Sequence, residues 1–193
     1  RNKSKNYNQI SIQYYRGKIM KKTEKQKIKV LISEEEIKRQ VCKLAKQINR
    51  DYKQKNLLVI SVLSGSIVFC SDIIRQLKTD FSLDFIRVAS YKDKKSTNNI
   101  ELISSVRTDV RGKDVLIIED IYDTGKTLSY IKNMLLKKKV KSLKTCVLVN
   151  KKTTKQEETG IDYVGFNIED EFIVGYGLDY NGKYRGLPYI GVL

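Results

Sequence analysis

Short apolar runs alternate along this chain with stretches whose apolar positions recur every three or four residues. Leu57-Leu58-Val59-Ile60-Ser61-Val62-Leu63 is nearly continuous and Val115-Leu116-Ile117-Ile118 is fully so, the pattern of strands covered on both faces in a parallel sheet. Residues 143–149 read as a further strand, residues 83–89 alternate loosely as another, and Ile28-Lys29-Val30-Leu31-Ile32 is a short one. Between them, Ser33 followed by Glu36 spells a capping box, and Ile37, Val41, Leu44, Ala45 and Ile48 line one face of the helix it opens. A polar break over residues 51–56 ends that helix. Ile67, Cys70, Ile73, Ile74 and Leu77 carry a second helix, and Leu128, Ile131 and Leu135 a third. Strands in alternation with helices predict an α/β protein with a central parallel sheet.

Such sheets gather ligand loops where their strands finish. After Ile118 come two carboxylates, Glu119 and Asp120, which are expected to end the strand. A turn of small polar residues, Asp123-Thr124-Gly125-Lys126-Thr127, then leads into the third helix. Unpaired amides and the helix dipole favour an anion there, and a phosphate suits it. A Walker A loop would need glycine at position 120. Asp120 stands there with Glu119 beside it, and both would repel a triphosphate, so the kinase or ATPase reading loses its weight. Ser64-Gly65-Ser66 likewise joins a strand to a helix, either as a plain connection or as a second anion site. Ser90-Tyr91 opens a stretch, residues 92–99, with no apolar anchor; by composition it is a mobile loop or a hairpin tip.

The length of 193 residues suits one domain with its own core. Residues 1–20 show no sustained periodicity, and Met20-Lys21-Lys22 reads like a natural start, so the fold is expected to occupy residues 21–193 with an extension before it. No apolar run approaches the ~18 residues of a membrane helix, and the first twenty residues lack a signal-peptide centre, which suits a cytoplasmic protein. Cys42, Cys70 and Cys146, odd in number and set within apolar patterns, read as reduced thiols. With no histidine, Ser-His-Asp and Cys-His nucleophile systems are excluded, and acid-base work falls to carboxylates, Lys or Tyr. The net charge of +16 favours acidic partners, but the lysines are spread over the chain, as on solvated faces, rather than held in one nucleic-acid stripe.

The stretch from Val115 to Thr127 resembles the signature of the type I phosphoribosyltransferases, an apolar run followed by Glu-Asp-x-x-Asp-Thr-Gly-x-Thr, with every fixed position met. The resemblance implies that the turn (Thr124, Gly125, Lys126, Thr127) grips the 5′-phosphate of phosphoribosyl pyrophosphate. Glu119 and Asp120 would hold the ribose hydroxyls directly or through Mg²⁺, and Asp123 would act as general base. Leu63-Ser64-Gly65-Ser66 with Phe69 and Asp72 is similar to the pyrophosphate loop of members acting on 6-oxopurines, which often has a cis peptide where Leu63 meets Ser64 here. Many relatives have Lys or Arg at the position of Ser64, so backbone amides around Ser64 and Gly65 are the expected pyrophosphate ligands. Ser90 and Tyr91 resemble the opening of the family's mobile lid.

The tail carries the second specific match. Phe172-Ile173-Val174-Gly175-Tyr176-Gly177-Leu178-Asp179-Tyr180-Asn181, with Arg185 nearby, closely resembles the C-terminal hood of hypoxanthine phosphoribosyltransferases. On that match Phe172 stacks on the purine, the Ile173 backbone reads its edge, Asp179 lies near the purine's C2 and binds a second Mg²⁺, and Arg185 contacts pyrophosphate. Lys151 falls where relatives place a lysine that donates to the purine O6; read alone it is one surface lysine among many. The fold implied is the type I phosphoribosyltransferase fold, a core of about residues 33–168 under a small hood built from about 21–32 and 169–193. Homodimers or homotetramers are implied too. Some proteins of this fold bind RNA and regulate nucleotide synthesis, and that is the alternative reading.

Overall fold

The computed structural model describes residues 28–91, 99–153, 156 and 160–193. The expected N-terminal extension, and the loop after Tyr91 up to residue 98, lie outside the described residues. In chain order the elements are β1 (Lys29–Ile32), α1 (Glu34–Asp51), β2 (Leu57–Leu63), α2 (Ile67–Ile74), β3 (Phe81–Tyr91), β4 (Asn99–Ser104), β5 (Asp114–Tyr122), α3 (Lys126–Leu136), β6 (Ser142–Lys151), β7 (Tyr163–Ile168), β8 (Ile173–Val174) and β9 (Ile190–Val192). Six strands form one sheet in the order β4-β3-β2-β5-β6-β7, and β1, β9 and β8 form a second, antiparallel sheet. Within the large sheet only β4 runs antiparallel to its neighbour.

Period-two alternation explains the layering. Leu57, Val59, Leu116, Ile118, Cys146 and Leu148 face one way and pack with α1 and α2, together with Ile173, Tyr176, Leu178 and Ile190 of the C-terminal segment. Leu58, Ile60, Ile117 and Val147 face the other way, against Leu128, Ile131 and Leu135 of α3. The apolar stripe of α1 is buried as its spacing requires, Ile37, Val41, Leu44, Ala45 and Ile48 all being at most 2 % exposed. Its capping box closes on both sides: Glu36 N–H donates to Ser33 Oγ at 3.3 Å, and Ser33 N–H donates to Glu36 Oε2 at 2.8 Å.

Four features differ from the sequence expectation. β5 does not end at its carboxylates; Glu119, Ile121 and Tyr122 still pair with Val147, Val149 and Asn150 of the longer β6. β4 is a strand because β3 extends to meet it, from Arg87 opposite Ser104 to Tyr91 opposite Asn99. Ile67, the first residue of α2, is half exposed while Phe69 is wholly buried, since the helix is turned so that Phe69, Cys70 and Ile73 face the sheet. Tyr52, inside the polar break, is buried with its hydroxyl 3.3 Å from the Val115 carbonyl. Cys42, Cys70 and Cys146 are free thiols, as expected. Among the described residues no helix is long and apolar enough to cross a membrane.

Candidate active site

β2, β5 and β6 run parallel, so they deliver Leu63, Tyr122 and Lys151 to the same edge of the sheet. At that edge the turn after β5 passes through Gly125 with φ +80°, a left-handed conformation that favours glycine, and a Cβ there would lie 2.6 Å from the Tyr122 hydroxyl. The first bond of α3 is Ser129 N–H to the Gly125 carbonyl at 2.9 Å, so the amides of the first turn have no partner within the helix. Asp123, Thr124, Lys126 and Thr127 line a cleft of about 270 Å³, together with Ile100 of β4 and Glu119. Amides at a helix start, hydroxyls and a lysine make this an anion cradle.

Adjacent residues of a strand point to opposite faces, so the acidic pair straddles the end of β5. Glu119 enters the cleft, is 6 % exposed, and its Oε2 has no hydrogen-bond partner. Burial first, then the neighbouring Asp120 charge, holds its pKa well above the usual carboxylate range. Asp120 faces the other way. Burial pushes it up to about 6, against the pull of its own and the Ile121 amides and of Arg185, while Asp179 adds to the push. Two acids kept this far from comfort suit a cation or sugar hydroxyls. Among the described residues no three His, Cys, Asp or Glu side chains converge into a closed cage, and the donor set fits a hard cation such as Mg²⁺, which takes one or two carboxylates and completes its shell with ligand oxygens and water.

Gly65 is where three distant segments meet. It follows a cis peptide between Leu63 and Ser64. Asp120 Oδ2 stands 1.7 Å from where a Cβ on residue 65 would be, so any larger residue there would have to displace the Asp120 carboxylate. On its other side, the Gly65 carbonyl oxygen lies 2.1 Å from the Cβ position of Gly177, itself at φ +102°. The loop therefore meets β5 through the Asp120 carboxylate and meets the hood backbone to backbone. Above this junction Arg185 Nη2 pairs with Asp179 Oδ1 at 2.6 Å, and Arg185 Nη1 donates to the Gly177 carbonyl at 2.6 Å. Asp179 Oδ2 accepts from Gly182 N–H at 2.7 Å, so both its oxygens are engaged within the hood.

The expected purine side lies along the same edge, beyond the lining of the phosphate cleft. Phe172 is 53 % exposed, its ring edge-on to Tyr180 with centroids 5.5 Å apart. Leu193 N–H donates to the Phe172 carbonyl, so by the alternation of an antiparallel ladder Ile173, opposite Val192, turns its own N–H and C=O away from β9, at the sheet edge. The Lys151 side chain is 10 % exposed and its ammonium lies 3.3 Å from Asp170 Oδ1. Gln156 caps the ends of β5 and β6, its amide donating to the Tyr122 carbonyl at 3.4 Å, to Asn150 Oδ1 at 3.0 Å and to the Lys151 carbonyl. Sequence reasoning missed Gln156 and Asp170. Neither carries a motif, and only the path of β6 and β7 brings them to Lys151. Ser90 and Tyr91 finish β3, with side chains outside the description.

A mostly parallel sheet whose strand ends join a phosphate-type turn, a glycine loop and an acidic pair beneath a C-terminal hood defines the phosphoribosyltransferase class. A family model described as a phosphoribosyl transferase domain matches residues 31–181. The hypoxanthine-guanine phosphoribosyltransferase of Bacillus subtilis is 43 % identical over 166 residues, covering 86 % of this chain and 92 % of that protein. A bifunctional protein TilS/HprT of Listeria monocytogenes is 42 % identical over the same length, 86 % of this chain, which spans only 26 % of that longer protein. A crystal structure of a Staphylococcus aureus hypoxanthine phosphoribosyltransferase superposes with a TM-score of 0.82 at 42 % identity, covering 86 % of this chain and 90 % of the other. A mutant hypoxanthine phosphoribosyltransferase of Trypanosoma cruzi, in a ternary substrates complex, gives 0.80 at 38 % identity, with 86 % and 94 % covered. The chain belongs to the phosphoribosyltransferase family, on its hypoxanthine-guanine branch. The reading as an RNA-binding regulator draws no support from these relatives.

Proposed function

We propose that this protein serves purine salvage, transferring the 5-phosphoribosyl group of phosphoribosyl pyrophosphate to N9 of hypoxanthine, and of guanine, to give the nucleoside 5′-monophosphate and pyrophosphate. The observation that carries the reading is the junction at Gly65, where Asp120 of β5, just before the phosphate turn, and Gly177 of the hood close on one loop. Such packing sets a sugar-phosphate cradle and a hood a few ångströms apart, the arrangement a two-substrate transfer needs.

In this assignment the amides of Gly125, Lys126 and Thr127 with the Thr124 hydroxyl hold the 5′-phosphate. Glu119 and Asp120 receive the ribose hydroxyls. Glu119 and Asp120 would hold one Mg²⁺ and Asp179 a second, which would supply charge neutralisation for the pyrophosphate. As the C1–O bond breaks, the electron pair leaves with pyrophosphate, positive charge builds on the sugar, and N9 of the purine forms the new bond. Arg185 and the backbone amides of Ser64 and Gly65 stabilise the leaving group. Asp123, exposed at the mouth of the cleft, takes the N7 proton of the base. Phe172 stacks on the purine, the Ile173 peptide reads its edge, and the Lys151 ammonium donates to O6, where adenine would present a donor instead. Ser90 and Tyr91 open a lid that excludes water, and the enzyme works in the cytoplasm as a homodimer or homotetramer.

The test is direct. The protein is incubated with phosphoribosyl pyrophosphate and Mg²⁺ and with hypoxanthine, guanine, xanthine or adenine in turn, with and without a chelator. Nucleotide should form with hypoxanthine and guanine and vanish on chelation. No nucleotide with any purine would end the proposal.

A further inference from the structure

Asp72 and Tyr176 are both placed with care, and the proposed chemistry uses neither. Asp72 sits on α2, the helix that begins directly after the Gly65 loop, and Tyr176 sits in the hood between Gly175 and Gly177. All three hood residues have positive φ, +101°, +50° and +102°, a conformation unusual for tyrosine. The ring is 5 % exposed and packs in the core on the α1 and α2 side of the sheet, while its hydroxyl donates to Asp72 Oδ2. The other carboxylate oxygen of Asp72 is held by Arg75, one turn further along the helix. Burial and the Asp72 carboxylate raise the phenol's pKa, so it stays a donor throughout the physiological range.

The hood around Tyr176 is tied mainly to itself. Tyr176 N–H donates to the Leu187 carbonyl at 2.8 Å, Gly177 N–H to the Arg185 carbonyl at 2.9 Å, and Arg185 returns to Gly177 and Asp179. Among the described residues, the Tyr176 to Asp72 bond is the side-chain hydrogen bond that joins residues 171–193 to the rest of the chain. It acts one residue away from Gly177, whose approach to the Gly65 carbonyl leaves no room for a Cβ.

We propose that Asp72 is a positioning residue, a latch on α2 that, through the Tyr176 hydroxyl, holds the hood in register with the Gly65 loop and so sets Asp179 and Arg185 opposite Asp120. The inference deepens the proposed transferase reading and rests on it for its kinetic consequence. Its structural content stands apart. When the latch is released, the ring of Tyr176 still packs, so the fold persists. What is lost is the fixed distance between the hood's Asp179–Arg185 pair and the loop.

The variants are Tyr176→Phe, which deletes only the hydroxyl, Asp72→Ala, and Asp72→Asn, which keeps an acceptor. Hydrogen exchange on the full chain is the first readout and needs no activity. The amides of residues 176–185 should exchange at least about tenfold faster in Tyr176→Phe and Asp72→Ala, with β5 unchanged and Asp72→Asn close to wild type. In the transferase assay the same two variants should raise KM for phosphoribosyl pyrophosphate about tenfold, with kcat and the purine KM moving less than about threefold, and Asp72→Asn should restore it. Unchanged hood exchange in Tyr176→Phe would overturn the latch, as would exchange that rises equally in β5 and the hood. Altered hood exchange in a protein whose wild type forms no nucleotide would keep the latch and remove the transferase reading.

Discussion

At the edge where β5, β6 and β7 begin, Asp51, Asp162 and Asp114 each accept hydrogen bonds, although the second oxygen of the buried Asp114 has only the Lys141 ammonium beside it and no hydrogen bond. Asp51 accepts from the Tyr163 hydroxyl at 2.7 Å and from Lys144 at 3.2 Å, Asp162 takes the Thr145 amide at 2.8 Å, and Asp114 takes the Ser142 hydroxyl at 2.6 Å with Lys141 at 3.6 Å. At the opposite edge, where β5 finishes, Glu119 keeps an oxygen with no partner, and Asp120 is crowded between Glu119, Asp179 and the backbone of Gly65. Asp51 and Asp120 are shifted in opposite senses. Hydrogen bonds from Tyr163, outweighing burial, hold Asp51 below the ordinary range, whereas burial lifts Asp120 to about 6. Satisfied acids hold a structure together; frustrated ones wait for a ligand. The contrast is therefore sharpest between Asp51, whose oxygens are held by Tyr163 and Lys144, and the Glu119–Asp120 pair, which burial disfavours in its charged form.

The contrast breaks most sharply on activity. Asp123→Ala should cut turnover by about 10²–10⁴-fold with KM for phosphoribosyl pyrophosphate within a few-fold; equal losses in both would make Asp123 a binding residue instead. The same assay on Asp51→Ala, at the far edge, should show turnover per folded molecule unchanged within about twofold.

Stability against pH comes next. A carboxyl raised in the folded state binds more protons there than in the unfolded chain over the interval between the two pKa values. Asp120 therefore costs nothing below its unfolded value of 3.8, and its penalty grows as pH rises to its folded value of about 6, reaching roughly 3 kcal/mol from the usual ~1.4 kcal/mol per unit. Asp120→Asn should remove that fall, as read by denaturant unfolding at a series of pH values; parallel curves for wild type and variant would show that Asp120 is not frustrated. Asp51 has the opposite sign. Its contribution is present above its unfolded pKa and is lost as pH falls through the lowered folded one.

Asp51→Ala should destabilise by about 1–3 kcal/mol, the cost of leaving the Tyr163 hydroxyl and Lys144 without their acceptor, seen as a lower denaturation midpoint at neutral pH. The smallest effect sits beside the active edge. Lys151→Ala should erode the preference for hypoxanthine over adenine by roughly tenfold, the worth of one charged donor. Base-specific rates equal to wild type would show that the ammonium answers to Asp170 alone.

Much of this was legible before any coordinates. The apolar runs at residues 57–63 and 115–118 are strands because only a doubly covered strand needs both faces apolar, and the stripe from Ile37 to Ile48 is buried because its spacing leaves one face without charge. The Glu-Asp pair at 119 and 120, followed by the small polar turn through Gly125, pointed to a candidate site, since two carboxylates at the end of an apolar strand are not there to pack a core. Other features were legible only in part. β4 lacked a core-facing run to reveal it, and β5 outran its carboxylates because β6 was there to pair with them.

What the sequence by itself determined is therefore the local part: which segments are strands and helices, where the anion turn lies, and which chemistry its residues permit, because periodicity and turn chemistry act over a few neighbouring residues. What only the tertiary structure decided is which distant groups meet. Asp120 against Gly65, Gly177 over the Gly65 carbonyl, Tyr176 on Asp72 and Asp170 beside Lys151 each join residues separated by 19 to 112 positions. Such contacts are fixed by strand order and by where the hood lands on the sheet, and no local pattern encodes them.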